Sequence, residues 1–384
     1  MTETSLPTLP PPGEREPSRA RSLHLPVLQE PCGLGFASPP RHETLQDGHQ
    51  RTITYLRISL TDRCNYRCTY CMPSEGIELV PKADILRLPE LEEIVSALIR
   101  VGVRRVRLTG GEPTVRKDLV DLVARLAGLG LADLSLSTNG QRLTELAQPL
   151  RRAGLHRINV SLDTLDAARF RRVTRRGQLA QVLAGLEAVR AAGFRHTKMN
   201  TVAMRGFNDD EVATLCRYAF ERDFIPRFIE LMPIGEGTLG YPGTFLPTTE
   251  LRQILRREFG SLCALSAAED RPPGVGPARY VGVSYQGQPR RVGLISAVSE
   301  PFCDSCNRIR LSATGSLHTC LAYDDATELA DLLRSQDPAL REPLARQRAL
   351  RDRIQTVLQR KRSGHAFTSA GCGGPAKHMV AIGG

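Results

Sequence analysis

The run Tyr55-Leu56-Arg57-Ile58-Ser59-Leu60 leads directly into Thr61-Asp62-Arg63-Cys64-Asn65-Tyr66-Arg67-Cys68-Thr69-Tyr70-Cys71-Met72-Pro73. The first six residues alternate in period two and predict a strand. The loop after them spaces three cysteines as C-x3-C-x2-C. Three thiolates in one short loop can hold three corners of a cubic iron-sulfur cluster, whose usual ligation takes four, so one iron is left open to bind a small molecule. The competing reading is a zinc site completed by a fourth ligand from elsewhere.

Outward from this loop, strand-like runs recur at Arg105-Thr109, Leu134-Thr138, Arg157-Leu162, Lys198-Met204 and Arg227-Leu231. Helical patterns lie between them, at Pro89-Arg100, Leu119-Leu126, Leu179-Val189 and Val212-Phe220. Pro89 suits a first helical turn, and Leu91, Ile94, Val95 and Leu98 share one face. Six βα units in series without a Rossmann glycine fingerprint predict an α/β fold closed as an incomplete (β/α)6 barrel. Beyond Pro233 the pattern changes to Tyr280-Tyr285, Arg290-Ile295 and Arg308-Ser312, then helix-rich sequence from Ala326 to Lys361. The expected organisation is a Pro-rich, disordered extension over 1-50, the barrel over 51-233, and a C-terminal α+β domain with a second cluster over 234-384.

The chain has 384 residues, 41% of them apolar, enough for a substantial core. No window has the apolar length of a membrane span, and no apolar stretch near the start reads as a secretory signal, so a cytoplasmic location is expected. Ten cysteines are too sparse for a disulfide scaffold, and six fall into two tight triplets, which points to reduced thiolates binding inorganic cofactors. Cys216 reads as a core residue on a helix, while Cys32, Cys263 and Cys372 carry no particular reading. Lys+Arg 52 against Asp+Glu 41 gives a net charge of +11, and an anionic partner follows. The absence of Trp and the 5% aromatic content argue against a base-stacking nucleic-acid surface and favour a nucleotide.

The strands are unusual for a parallel sheet, which is ordinarily apolar on both faces. Tyr55, Arg57 and Ser59 fall on one face, as do Arg105, Arg107 and Thr109, and then Lys198 and Asn200. Leu56, Ile58, Leu60, Val106 and Leu108 fall on the other. In a barrel coated by helices the polar face is the interior, where cations are costly unless an anion neutralises them. A solvated sheet face is the plainer alternative. Strand two ends in Leu108-Thr109-Gly110-Gly111-Glu112-Pro113, and paired glycines at the carboxyl end of a barrel strand let backbone approach a ligand. Ser137-Thr138-Asn139-Gly140 and Ser161-Leu162-Asp163 stand at the ends of strands three and four, and the resemblance of the cysteine loop to the radical S-adenosylmethionine enzymes implies that they suit the ribose and carboxylate of a bound adenosyl group. The second triplet is Cys303, Cys306 and Cys320, spaced C-x2-C-x13-C, with a zinc knuckle as its alternative and His318 as one source of a fourth ligand.

The first cysteine loop resembles the radical S-adenosylmethionine (SAM) enzymes. Together with Arg107-Leu108-Thr109-Gly110-Gly111-Glu112-Pro113, Phe228-Ile229-Glu230-Leu231-Met232-Pro233, the second triplet and Gly383-Gly384, it resembles the GTP 3′,8-cyclase family, from about Arg51 to the last residue. The resemblance implies two 4Fe-4S clusters, one on Cys64, Cys68 and Cys71 and one on Cys303, Cys306 and Cys320. It implies that SAM is cleaved to a 5′-deoxyadenosyl radical, which takes hydrogen from C3′ of GTP so that this carbon attacks C8 of guanine. The product is (8S)-3′,8-cyclo-7,8-dihydroguanosine 5′-triphosphate, in the first step of molybdenum cofactor biosynthesis. By position, SAM is expected at Tyr70, Gly111, Ser161 and Met232. GTP is expected at Arg57, Arg107, Thr138, Lys198, Arg308, Ile309 and Arg310, with its guanine at the second cluster. Gly383 and Gly384 are expected to act at the barrel mouth.

The implied partners are GTP, an electron donor, a downstream cyclic pyranopterin monophosphate synthase and a second copy of the chain; nucleic acid and membrane are not among them. Asp47-Gly48-His49-Gln50-Arg51 lacks the Phe-Gly-Arg of the family, the stretch from Met232 to Cys303 is longer, and Arg362 stands where the family often has Pro. These departures are expected to spare the ligands. Rival readings are a radical SAM peptide-maturing enzyme and a zinc-dependent RNA-binding protein.

Overall fold

Strand β1 (Tyr55–Ser59) is followed by α1 (Leu88–Arg100), β2 (Arg105–Thr109), α2 (Leu119–Ala127), β3 (Asp133–Thr138), α3 (Leu143–Arg152), β4 (Arg157–Ser161), α4 (Ala167–Thr174), α5 (Leu179–Ala191), β5 (Lys198–Ala203), α6 (Val212–Phe220) and β6 (Ile225–Glu230). The structure is a computed structural model and describes residues 44–238, 243–265, 276–375 and 378–382. Most of the Pro-rich stretch, Cys32 and Gly383-Gly384 lie outside the described residues. The second half adds α7 (Thr248–Phe259), β7 (Cys263–Ala264), β8 (Arg279–Tyr285), β9 (Gln288–Ile295), β10 (Arg308–Leu311), β11 (Ser316–His318), β12 (Thr327–Glu328), α8 (Ala330–Leu333) and α9 (Pro343–Gln359).

Each predicted βα unit is present, and the apolar pattern explains why. Leu56, Ile58, Leu60, Val106 and Leu108 are fully buried beneath the helices, as are Leu91, Ile94, Val95 and Leu98 of α1. Each such side chain contributes about 1.5–3 kcal/mol when fully buried. The start of α1 is fixed by Glu90, whose carboxylate accepts from the Arg87 backbone N–H at 2.7 Å.

The sheet runs β12-β11-β10-β1-β2-β3-β4-β5-β6-β9-β8-β7. Strands β1 to β6 are parallel and consecutive, the order expected of the incomplete barrel. The C-terminal strands join the same sheet: β10 pairs parallel with β1, and β9 pairs parallel with β6. Four antiparallel pairings complete the outer margins: β10 with β11 and β11 with β12 on one side, β9 with β8 and β8 with β7 on the other. Residues 42–384 therefore form one compact unit, in which the second half of the chain flanks the first on both sides.

Candidate active site

The loop after β1 is held by the end of β2. The Gly111 N–H donates to the Thr61 carbonyl at 2.7 Å and the Glu112 N–H to the Arg63 carbonyl at 2.8 Å. A Cβ on Gly110 would stand 2.7 Å from the Thr61 oxygen, and one on Gly111 would meet the Arg63 carbonyl still more closely. The paired glycines are thus required, in the first place, for β2 to lie against the cysteine loop. Glu112 is fully buried and its carboxylate accepts from the Thr114 N–H and hydroxyl, the Thr138 hydroxyl and the Asn139 N–H, at 2.6–3.0 Å. Burial pushes this carboxyl upward, and the four donors oppose the shift. Asn139 reaches Asn65 in the cysteine loop at 2.7 Å.

Tyr70, between Cys68 and Cys71, turns its hydroxyl to Asp163 at 2.7 Å, and Asp163 also accepts from the Val202 N–H at 2.9 Å. Asp163 is raised to about 6 by burial. Its carboxylate braces the cysteine loop, whereas the sequence alone suggested a ribose contact. Ser161 is exposed at the end of β4, and Met232 follows β6 beside Gly237 and the Tyr70 carbonyl.

The three cysteines of this loop are half-buried; burial pushes Cys64 and Cys71 up to about 12 and Cys68 well above its ordinary value, and neighbouring thiols further oppose the ionisation of Cys68 and Cys71. Metal binding must therefore displace their protons. Cys64 sulfur already accepts the Tyr66 N–H at 3.4 Å. In the second triplet, Cys320 sulfur accepts the Ala322 N–H at 3.5 Å and Cys306 sulfur accepts from Arg308 at 3.8 Å. Burial raises Cys306, but Arg308 and Lys361 outweigh it and bring the thiol down to about 7. Among the described residues, no three His, Cys, Asp or Glu side chains converge on a site for a single ion. N–H donors on the sulfurs of Cys64, Cys306 and Cys320 suit thiolates that hold an inorganic cluster.

Two of the departures from the family do touch the second triplet, contrary to expectation. Arg51 donates to the carbonyls of Cys303 and Ser363 at 2.8 Å and of Arg362 at 2.6 Å, and Asp47 holds its Nε at 2.7 Å. Gly364 lies against Cys303, with a Cβ position 3.8 Å from the sulfur. Residues 47–51 and 362–364 thus form part of the wall behind that triplet, a contact between segments far apart in sequence. His318 is buried on β11, opposite Arg310 of β10.

The barrel interior carries the expected cations. Arg310, Arg57, Arg107 and Ser135 stand side by side in register across β10, β1, β2 and β3. Arg107 donates to Ser135 at 3.2 Å, lies 5.5 Å over the Tyr55 ring, and has the Asn159 amide oxygen at 2.7 Å when that amide is oriented to accept. Lys198 is 1% exposed and held down to about 5 by burial and by Arg227, Arg157 and Arg107, against Asp133. Burial, then Arg308, brings Arg310 down to about 10, and Arg57 is lowered by burial and by Arg310. Thr138 commits its proton to Glu112 and accepts the Gly140 N–H at 3.1 Å.

Two interior cations escaped the sequence reading. Arg157 forms a buried forked pair with Asp133, and Arg227 donates to Asn200 at 2.9 Å. Both alternate in period two with apolar neighbours, which was the available signal. Arg227 crosses β9 at Gly293, where a Cβ would stand 2.7 Å from its side chain.

A parallel barrel with a three-cysteine loop after its first strand, braced by Gly-Gly-Glu, defines a radical SAM enzyme. The radical SAM superfamily pattern matches residues 58–219, and the Molybdenum Cofactor Synthesis C pattern matches residues 225–367. The fold resembles Streptococcus suis SuiB bound to its precursor peptide SuiA, with TM-score 0.50 and 16% identity, covering 81% of this chain and 68% of that one. A GTP 3′,8-cyclase of Rhizobium etli is 44% identical over 87% of this chain and 92% of its own length. One from Pelotomaculum thermopropionicum is 46% identical over 73% of this chain and 84% of its own. The chain belongs to the GTP 3′,8-cyclase family. Its activity is the radical SAM cyclisation of GTP in molybdenum cofactor biosynthesis, and its cofactors are SAM and two 4Fe-4S clusters.

Proposed function

We propose that Cys64, Cys68 and Cys71 hold the cluster that engages SAM, that Cys303, Cys306 and Cys320 hold the second, and that GTP lies between them along β1 and β10. One observation carries this. The first triplet follows the carboxyl end of β1, whereas Cys306 lies two residues before β10, whose first residue pairs with the first residue of β1. In two parallel strands the triplets therefore lie toward opposite ends of one strand pair, and Arg57 and Arg310 stand between them.

When bound, the first cluster and SAM supply a carbon radical able to remove hydrogen from an unactivated C–H bond. The chain's own residues bind and orient the substrate. Arg57, Arg107, Lys198, Arg308 and Arg310 neutralise the triphosphate, with Thr138 and the Ile309 backbone completing the set. Arg227 belongs with them, because it faces the same interior. Tyr70, Gly111, Ser161 and Met232 line the SAM end. The apolar outer face of the strands and the helical coat keep water from the interior.

The described tail supports a role for Gly383-Gly384: Val380 is buried, the turn Met379–Ile382 lies against β1, and Gly374 packs on the Pro233 carbonyl. In this reading Gly383 and Gly384, which lie outside the described residues, act beside the reacting nucleotide, where a side chain would clash. Deleting both is expected to leave folding, clusters and SAM binding intact while stopping cyclisation; full cyclisation in the deletion variant would overturn the role.

In this reading the cyclised nucleotide passes to a cyclic pyranopterin monophosphate synthase, an electron donor reduces the first cluster, and the chain works as a homodimer in the cytoplasm. No helix among the described residues is long and apolar enough to cross a membrane.

The division of labour is tested by chromatography of both products. Cys64→Ala, Cys68→Ala or Cys71→Ala should abolish SAM cleavage. Cys303→Ala, Cys306→Ala or Cys320→Ala should lose cyclisation while releasing some 5′-deoxyadenosine. SAM cleavage that survived loss of the first triplet would reverse the assignment.

A further inference from the structure

Arg175 follows the last residue of α4 with φ +60° and ψ −31°, a backbone state that disfavours residues with a Cβ and that glycine fills most readily. An arginine nevertheless stands there, and its side chain reaches the first cysteine loop. Its Nη1 donates to the Arg67 carbonyl at 3.1 Å and to the Met72 carbonyl at 2.9 Å. Those two carbonyls flank Cys68 and Cys71. The end of α4 also grips the backbone in between: the Arg67 N–H donates to the Thr174 carbonyl at 3.0 Å and the Thr69 N–H to the Val173 carbonyl at 2.9 Å. From the other side, Arg67 donates to the carbonyls of Cys64 and Tyr66, both at 2.8 Å. The loop is therefore clamped by two guanidinium groups, one from within and one from α4.

We propose that Arg175 is a positioning residue for the cluster on Cys64, Cys68 and Cys71: it fixes the span from Cys68 to Cys71 and places a positive charge beside it, favouring the reduced, more negative form of the cluster. The strained backbone is the structural cost of bringing a side chain to this point. The inference rests on the assignment of the first triplet to the SAM-engaging cluster.

The test uses the full chain, reconstituted anaerobically and titrated with dithionite as the one-electron reductant, with the cluster followed by electron paramagnetic resonance. The signal that changes on adding SAM belongs to the cluster in question. Arg175→Gln should lower its midpoint potential and slow SAM cleavage about 10- to 100-fold, the usual effect of losing an outer partner of a metal ligand. Arg175→Lys, which keeps the charge, should recover the midpoint. Arg175→Gly relieves the backbone, so it should fold at least as stably as the parent yet lose iron faster to a ferrous chelator. An unchanged midpoint and cleavage rate in Arg175→Gln, or unchanged iron loss in Arg175→Gly, would overturn the role. Cys68→Ala is the control: if the SAM-responsive signal persisted in it, the triplet assignment would have failed, and not the inference about Arg175.

Discussion

Lys198 stands among other cations in the barrel interior, where burial and like charge disfavour its ammonium form. Its pKa is brought from 10.5 to about 5, first by burial and then by Arg227, Arg157 and Arg107. Between those two values the unfolded chain binds a proton that the folded chain lacks, so this group makes folding stability rise with pH across that window. A bound triphosphate reverses the local balance of charge and returns the proton. GTP binding at pH 7.5 should therefore take up a proton, seen by calorimetry in buffers of different ionisation enthalpy. Lys198→Met should abolish the uptake; equal uptake in that variant would place the titrating group elsewhere. Charge removal at Arg57, Arg107 or Arg310 should cost roughly 2–5 kcal/mol of GTP binding or transition-state energy while SAM binding holds. Arg57, Arg107 and Lys198 were legible as inward cations because each alternates with fully buried neighbours, such as Ile58 and Leu108. Arg157 carried the same signal, but its pairing with Asp133 was not legible, because Asp133 lies one residue outside the apolar run that marks β3 and only the folded sheet brings the two into register.

At the level of elements, the Gly110-Gly111 turn shows how a motif can be read correctly in place and incompletely in cause. Its position at the end of β2 was legible; its contact with the Thr61 and Arg63 carbonyls depends on how two loops meet, which no local pattern encodes. Gly111→Ala should force β2 away from the cysteine loop at a cost of about 1–3 kcal/mol, the usual range for overpacking. Denaturant unfolding would register this, and SAM affinity should fall with it; parental stability and affinity would mean that the loop yields freely. The strands β9 and β10 were likewise legible as strands, and their partners were not. An open barrel edge leaves no mark in the sequence of the strand that will occupy it, so strands read as a separate domain proved to extend the barrel wall. The same limit applied to Arg51 and the Arg362-Gly364 segment, whose meeting at Cys303 spans the length of the chain.

The flanking of β1 by β10 and of β6 by β9 has a consequence for how the molecule comes into being. Synthesis runs from the first strand to the last, so the six central strands leave the ribosome while both margins of their sheet are still bare. Exposed parallel margins are templates for pairing with other chains. The strand carrying Arg308 and Arg310 follows roughly 4–15 s later at about 5–20 residues per second. Until it arrives the row of cations is incomplete, and a nascent barrel cannot retain the nucleotide. Expression of residues 51–233 alone should therefore give an aggregating product, and co-expression of residues 234–384 should rescue part of it into solution. Sedimentation and light scattering of the two preparations would decide the matter; a monodisperse 51–233 fragment would mean that the central strands protect their own margins. Late completion also separates the two halves of the chemistry: a chain stalled before Arg308 carries the first cysteine triplet and lacks the last of the cations that would hold its substrate beside it.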